Sequence, residues 1–371
     1  MNVSHILATY DKLKITVGVL GGHSALDVCA GAKKYGFHTL AVCQKGREKT
    51  YAIYYGTNDE IGCIDEVIVK DKFSQVIDEE VQAQLRAKNT VFIHNRYFSV
   101  YCNFMGREST FQVPIFGNRE MLALEERNQP YNQYRLLEDA GIKMPKIFAS
   151  SSDIDRLVIV KVNEAEHRYE RAFFYATDKQ SFETASSALL QSGRITKEDL
   201  DQAVIEEFII GALVNFNFFY SPLSHRLELM GTDTRRQTNL DGLLRLPAKT
   251  QIALSDLVQP TVIETGHIAV TIKESLIEKV YVMGEKLVAL SQELFAPGII
   301  GPFALQGAVT YEQGKEEIVI FDVSLRTPGS PGTAYTPYTK YLFGRDLSYG
   351  ERIAMELQKA LREDRLEEVC T

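Results

Sequence analysis

Three oxygen-bearing side chains near the C-terminus, Gln306, Asp322 and Ser324, lie within two apolar runs, GPFALQGAVT and EIVIFDVSLRTPGSPGT. Each run reads as a strand, with Glu312-Gln313-Gly314 as the turn between them. Antiparallel neighbours put such residues on one face, an arrangement able to hold magnesium against nucleotide phosphates. Arg326 follows two residues after Ser324 and is a candidate catalytic cation. An ordinary hairpin with a polar wet face has the same pattern, so the rest of the chain must separate the two readings.

Further candidates recur along the chain. GGHSALD stands where a strand meets a helix N-terminus, a place that favours anions; His23 and Ser24 would add side-chain donors, or Ser24 would simply cap the helix. Lys161 closes the strand LVIVKV, where a lysine neutralises phosphate or is merely solvated. In VIEEFIIG, Glu206 or Glu207 is placed to accept hydrogen bonds from a ribose. The polar segment RLELMGTDTRRQTNLDG carries Arg235 and Arg236, whose forked donors match phosphate, and Asn239, which matches a neutral amide or hydroxyl. Arg236 joins Arg326 as a candidate catalytic residue. The TPGSPGT loop supplies backbone N–H groups nearby.

The elements that must position these residues begin with a β-α-β unit: strand 13–20, a helix within 21–37, and strand 38–44. Strands 66–70 and 89–95 and a helix around 74–88 continue an α/β layer. A charged helix is expected over 121–145, then strand 157–162, its partner 170–178 and a helix 181–193. A second α+β block starts at 203 and contains a helix 273–294, the hairpin described above and an amphipathic helix 348–363. No acidic residue ends the second strand at Gln44 and GxGxxG is incomplete, which argues against a dinucleotide cofactor.

Composition agrees with an ordinary globular protein: 371 residues, 45% apolar, 24% charged, net charge −8. That length implies two or three packed subdomains, and the negative charge argues against nucleic-acid partners. No segment reads as membrane-spanning or as a signal peptide, and the five cysteines form no metal or CxxC pattern. A reduced, cytoplasmic protein is expected.

Taken in order, these pieces resemble the ATP-grasp ligases. More narrowly, GGHSALDVCAGAKKYGF, VPIFGNRE, LLEDAGIKMP, the LELMG–D–RR–NLDG–LPAK series and PGIIGPFALQ resemble the archaeal formate-dependent 5-formaminoimidazole-4-carboxamide ribonucleotide (FAICAR) synthetase family, over nearly the whole chain. The resemblance implies an α/β and α+β chain: a Rossmann-like preATP-grasp domain (1–122), then a two-subdomain ATP-grasp fold (123–202 and 203–371). It implies ligation of formate to the amine of AICAR with ATP and magnesium, or manganese, through formyl phosphate, in purine biosynthesis and in a homo-oligomer. On that carry-over His23, Ser24 and Asn239 touch AICAR, Lys161 with Glu206 or Glu207 holds ATP, and Gln306, Asp322 and Ser324 hold the metal.

The chain departs from the family pattern in three places. The covering loop VNEAEHRYERAFF has no glycine, leaving His167, Arg168 and Arg171 to meet phosphates. HNRYFS replaces PHGS, so the serine facing AICAR becomes Tyr97 or is displaced to Ser99. Gln306 and Asp322 stand where the family has glutamates, and Ser324 where many ATP-grasp enzymes have asparagine. These departures keep two alternatives open: a paralogue joining another carboxylate to another amine, and a nucleotide-binding regulatory protein without turnover.

Overall fold

A computed structural model of the chain describes residues 3–58, 61–102, 110–125, 129–163, 171–254, 257–258 and 263–371, without the side chains of Asn163 and Arg171. By packing, the chain divides into two units: Met1–Glu125 with Val214–Gln306 and Val323–Thr371, and Glu126–Leu213 with Gly307–Asp322.

The β-α-β reading opens a parallel sheet of β1 (Thr16–Leu20), β2 (His38–Gln44), β3 (Glu66–Lys70), β4 (Thr90–Ile93) and β5 (Ile115–Phe116), in the order β3-β2-β1-β4-β5. All five residues of β1 are buried, as expected for a central strand covered on both faces. From β1 the chain builds first toward β3 and then, beginning at β4, toward the other edge. The carboxyl ends of β1 and β4 therefore flank a topological switch point, where loops splay apart and ligands bind. Gly21–Ser24 leave β1 there and His94–Tyr97 leave β4. Asn95 ties the two loops together, its amide donating to the carbonyls of Leu20 at 3.0 Å and Gly22 at 3.1 Å.

Helix Ala25–Lys34 buries Ala25, Val28, Cys29 and Ala32 against the sheet and crosses helix Tyr349–Arg362 at Gly31 and Gly350. A Cβ on either glycine would overlap the other helix's backbone, so this crossing exists only because neither residue has one. Asp27 secures it by accepting from the Gly350 N–H at 3.0 Å.

The expected helix over 121–145 is interrupted. A 3-10 turn covers Arg119–Glu125, and an α-helix begins only at Gln133, capped by the Asn132 side chain, and ends at Asp139. Pro130, which lacks an N–H, and the Asn132 cap make the restart a local necessity. The helix expected around 74–88 likewise splits into a 3-10 turn Phe73–Ile77 and helix Glu79–Ala87, with Asp78 extended between them.

In the second unit, β6 (Ile147–Phe148), β7 (Val158–Asn163), β8 (Arg171–Ala176) and β9 (Val204–Glu207) form an antiparallel sheet ordered β6-β9-β7-β8. Val158, Val160 and Val162 are fully buried in its core beside helix Lys179–Gln191. Period-two alternation turns Lys161 to the opposite face.

A third sheet, ordered β12-β11-β10-β13-β14, contains β10 (Ala212–Ser221), β11 (Arg226–Gln237), β12 (Glu264–Val270), β13 (Gly301–Glu312) and β14 (Lys315–Ser324). The hairpin expected at 312–314 is present, with Gln313 (φ 48°) and Gly314 (φ 80°) both left-handed, as a tight two-residue turn requires. All five cysteines are unpaired and buried, and no helix among the described residues is long and apolar enough to cross a membrane.

Candidate functional site

At the carboxyl end of β1, His23 adopts a left-handed backbone (φ 44°), which turns its ring over Gly329, where a Cβ would overlap it. Ser24 occupies the helix N-cap position but does not cap with its side chain. Its hydroxyl instead donates to the Pro328 carbonyl at 2.7 Å. The two sequence candidates of this loop are thus both fastened to the segment that follows β14. Loss of surrounding water, followed by the guanidinium of Arg326, lowers the His23 pKa to about 4, so the ring is neutral at pH 7.

Tyr97 and Ser99 separate clearly. The Tyr97 ring rests on Gly22, where a Cβ would fall inside it, and is fixed edge-on by Phe73 at 5.1 Å and Tyr101 at 5.4 Å. The Ser99 hydroxyl is buried, with no hydrogen-bond partner among the described residues. Tyr97 is therefore the residue that faces the Gly-Gly-His-Ser turn. One helical step before it, Arg96 reaches toward Glu125 (3.9 Å), and Glu125 also pairs with Arg326 and accepts from the Leu325 N–H at 2.6 Å. Burial, then Arg96, lowers the Arg326 pKa, but its ordinary value is so high and Glu125 so close that the guanidinium keeps its proton. His94 is buried here too; burial and Arg326 hold its pKa down at about 3, so it is a second neutral imidazole.

A longer network lies on one face of β10, β11 and β12. The regular pairing ends on one side at a bulge at Asn217/Phe218, with Met230 as the extra residue, and on the other at a bulge at Arg236/Gln237, which turns Glu264 back to the face of His267. Asn215, Asn217, Asp233, Arg235, His267 and Glu264 consequently share that face. Asp233, fully buried, accepts from Asn217 at 2.6 Å and Asn215 at 3.0 Å, and also faces His267 Nδ1. His267 Nε2 lies 2.6 Å from Glu264, whose other oxygen is 3.0 Å from Arg235 Nε. Arg235 Nη2 then donates to the Gln306 Oε1. At the other end, Ser330 of the TPGSPGT loop donates to Asn217 at 3.2 Å. Burial alone would lower the His267 pKa, but hydrogen bonds to Asp233 and Glu264 raise it to about 9, so the ring is an imidazolium between two carboxylates.

Arg236 lies one residue along β11 and so points to the opposite face, exposed, with Asp241 at 3.8 Å. Asn239 is exposed in a left-handed turn before the short helix Leu240–Leu243. Gln306 and Ser324 are buried, and Asp322 is half-buried.

In the second unit, Lys161 and Glu206 are 8% and 2% exposed, and Lys161 Nζ lies 2.8 Å from both carboxylate oxygens. They are diagonal neighbours across β7 and β9. Tyr134 donates to Glu206 at 2.8 Å, and Phe321 covers the ammonium at 5.8 Å. Glu207 points the other way, accepting from Arg156 at 3.1 Å and from the Lys146 N–H at 3.2 Å. Of the two sequence alternatives, Glu206 is the one beside Lys161. His167 and Arg168 lie outside the described residues; Arg171 begins β8, its side chain undescribed.

Sequence reasoning passed over Asp233, Glu264, His267, Glu125, His94 and Arg96. The alternation of RLELMGTDTRR would have placed Asp233 with Arg235, but the bulge that brings Glu264 to the same face leaves no mark in the sequence.

A parallel α/β sheet followed by two antiparallel sheets is the ATP-grasp layout, and comparison with solved structures bears out that fold. The ADP complex of N5-carboxyaminoimidazole ribonucleotide synthetase superposes with TM-score 0.56 at 12% identity, covering 86% of this chain and 71% of that one. The IMP biosynthesis protein PurP from Thermococcus kodakaraensis superposes with TM-score 0.71 at 27% identity, covering 96% of this chain and all of that one. Family models described as a domain of unknown function (DUF1297) and a protein of unknown function (DUF1246) match residues 181–371 and 17–148. The protein named 5-formaminoimidazole-4-carboxamide-1-(beta)-D-ribofuranosyl 5'-monophosphate synthetase from Methanopyrus kandleri is 37% identical over 369 residues, covering 100% of this chain and 98% of its own. Its namesake from Methanocaldococcus jannaschii is 37% identical over 371 residues with the same coverage. The chain belongs to this family of FAICAR synthetases.

Proposed function

We propose that this protein is an ATP- and formate-dependent ligase that converts AICAR to FAICAR. The observation that carries the reading is the clasp of His23 and Ser24 onto Pro328 and Gly329 beside Arg326. It sets a neutral imidazole and a hydroxyl beside a guanidinium at the mouth of a switch point, where an anionic nucleotide binds. Full-length kinship with proteins of that name supports it.

Formate has a poor leaving group. Its oxygen attacks the γ-phosphorus of ATP, the bond to the β-phosphate oxygen breaks, and ADP leaves formyl phosphate behind. The AICAR amine then attacks the formyl carbon; the carbon–oxygen bond to phosphate breaks and the amine loses a proton. The protein's share is placement and charge neutralisation. His23 acts as a neutral hydrogen-bonding group, Arg326 as the cation facing the acyl phosphate, and Lys161, oriented by Glu206, as the cation for ATP. Magnesium accompanying ATP would neutralise phosphate charge. Asp322, an ionisable carboxylate, fits such an ion, whereas Gln306, a neutral amide whose oxygen already accepts from a guanidinium, does not.

A second reading is favoured by the Tyr97 ring on Gly22: a ligase of the same chemistry whose amine substrate differs from AICAR. Incubation with ATP, magnesium, formate and AICAR, following ADP and formylated product together, tests both. Stoichiometric product supports the first; ADP release only with other acid and amine pairs supports the second; tight ATP binding without ADP release counts against both.

A further inference from the structure

Gln306 stands at the end of an ordered chain of side chains, Ser330–Asn217–Asp233–His267–Glu264–Arg235, each linked to the next by a hydrogen bond or ion pair. Arg235 is only one-third exposed and is anchored at Nε by Glu264, so its direction is set before any ligand arrives. One Nη2 proton is spent on Gln306, and the rest of the fork remains for an anion. A divalent ion on the Gln306 oxygen would lie about 2 Å from it and directly against this guanidinium, with cation repelling cation and no charge on the amide to compensate.

We propose that the fixed guanidinium of Arg235, in place of a metal ion liganded by residue 306, supplies the positive charge at this end of the site, and that it binds phosphoryl oxygen. Gln306 is then the acceptor that orients Arg235, and Glu264 and His267 are positioning residues behind it. An acceptor without charge suits this task, since a carboxylate at 306 would quench the cation it orients. The inference rests on the ATP-grasp reading of the site but not on the identity of the amine or the acid.

The test is Mn2+ binding to the full chain, followed by electron paramagnetic resonance, with Mn2+ alone and with Mn2+ and ADP. Gln306→Leu should leave Mn2+ affinity within about twofold of the parent, because no ligand is lost. Gln306→Glu alone should also leave it within about twofold, because Arg235 takes the new carboxylate. Gln306→Glu combined with Arg235→Gln should raise it at least tenfold, because the carboxylate is released to the ion. A tenfold loss in Gln306→Leu, a tenfold gain in Gln306→Glu alone, or no gain in the double variant overturns the proposal. Circular dichroism confirms that each variant is folded, and Gln306→Glu decides the matter if Gln306→Leu is not. Failure of the parent to bind ADP would count against the proposed function, while the order of the variants with Mn2+ alone still decides the role of Arg235.

Discussion

Replacing Lys161 by Met leaves the Glu206 carboxylate buried without its cation; replacing Glu206 by Leu does the same to the ammonium. The two groups are 8% and 2% exposed and meet through two contacts of 2.8 Å. At about 3 Å and an effective dielectric near 20, their attraction is roughly 5 kcal/mol, most of it offset by what both lost on leaving water. Either single replacement should therefore destabilise by about 3–5 kcal/mol, since one charge stays buried and unpaired. Tyr134 softens the loss for Glu206, to which it still donates at 2.8 Å, so Lys161→Met should be the milder variant. The double variant, apolar on both sides beneath Phe321, should fall within about 2 kcal/mol of the parent. Urea unfolding of the four proteins, read as a double-mutant cycle, measures the coupling, expected to exceed about 2 kcal/mol. ADP titration of the double variant then separates function from stability: the fold survives while nucleotide affinity drops. Single variants costing under about 1 kcal/mol, or additive effects in the cycle, would refute the claim that this pair is a desolvated unit.

His267 is only 11% exposed, and its folded pKa near 9 exceeds the ordinary 6.5. Its contribution to stability is therefore whole below about pH 6.5 and fades as pH rises through about 9. The urea midpoint difference between the parent and His267→Gln, worth about 2–4 kcal/mol at pH 6, should shrink steadily toward pH 10. Gly31→Ala should cost about 3 kcal/mol or more, because its Cβ has only Gly350 backbone to displace; an unchanged melting temperature would contradict the helix crossing described above. Tyr97→Ser should uncover Gly22 and tighten AICAR binding at least about tenfold (~1.4 kcal/mol) by calorimetry; weaker binding would mean that the ring forms part of the site.

Elements with a strong local signal were legible in the chain. The β-α-β opening, the Gln313–Gly314 hairpin and the long helix Glu274–Leu294 follow from periodicity, glycine placement and turn chemistry, all of which act between near neighbours. The helix expected over 121–145 was read through its charged, periodic composition, and Pro130 with the Asn132 cap overrode that pattern locally. Among the candidate site residues, Lys161, His23 and Ser24 could be proposed from the sequence because each stands beside a strand or helix terminus.

By itself, then, the sequence determined the class of fold, the family and the candidate loops, since residue type and spacing specify local structure and motif order. Tertiary structure alone decided that Glu206 rather than Glu207 meets Lys161, that Tyr97 rather than Ser99 rests on Gly22, and that Arg235 joins the Asp233 network while Arg236, a candidate catalytic residue, points to the other face. A strand presents neighbouring residues to opposite faces, so one bulge, at Asn217/Phe218 or at Arg236/Gln237, reassigns every side chain beyond it. It also decided that Ser24 bonds to Pro328 rather than capping its helix, and that Gln306 meets a guanidinium. Those partners lie 304 and 71 residues away along the chain, a separation that only the closed fold brings within hydrogen-bonding distance.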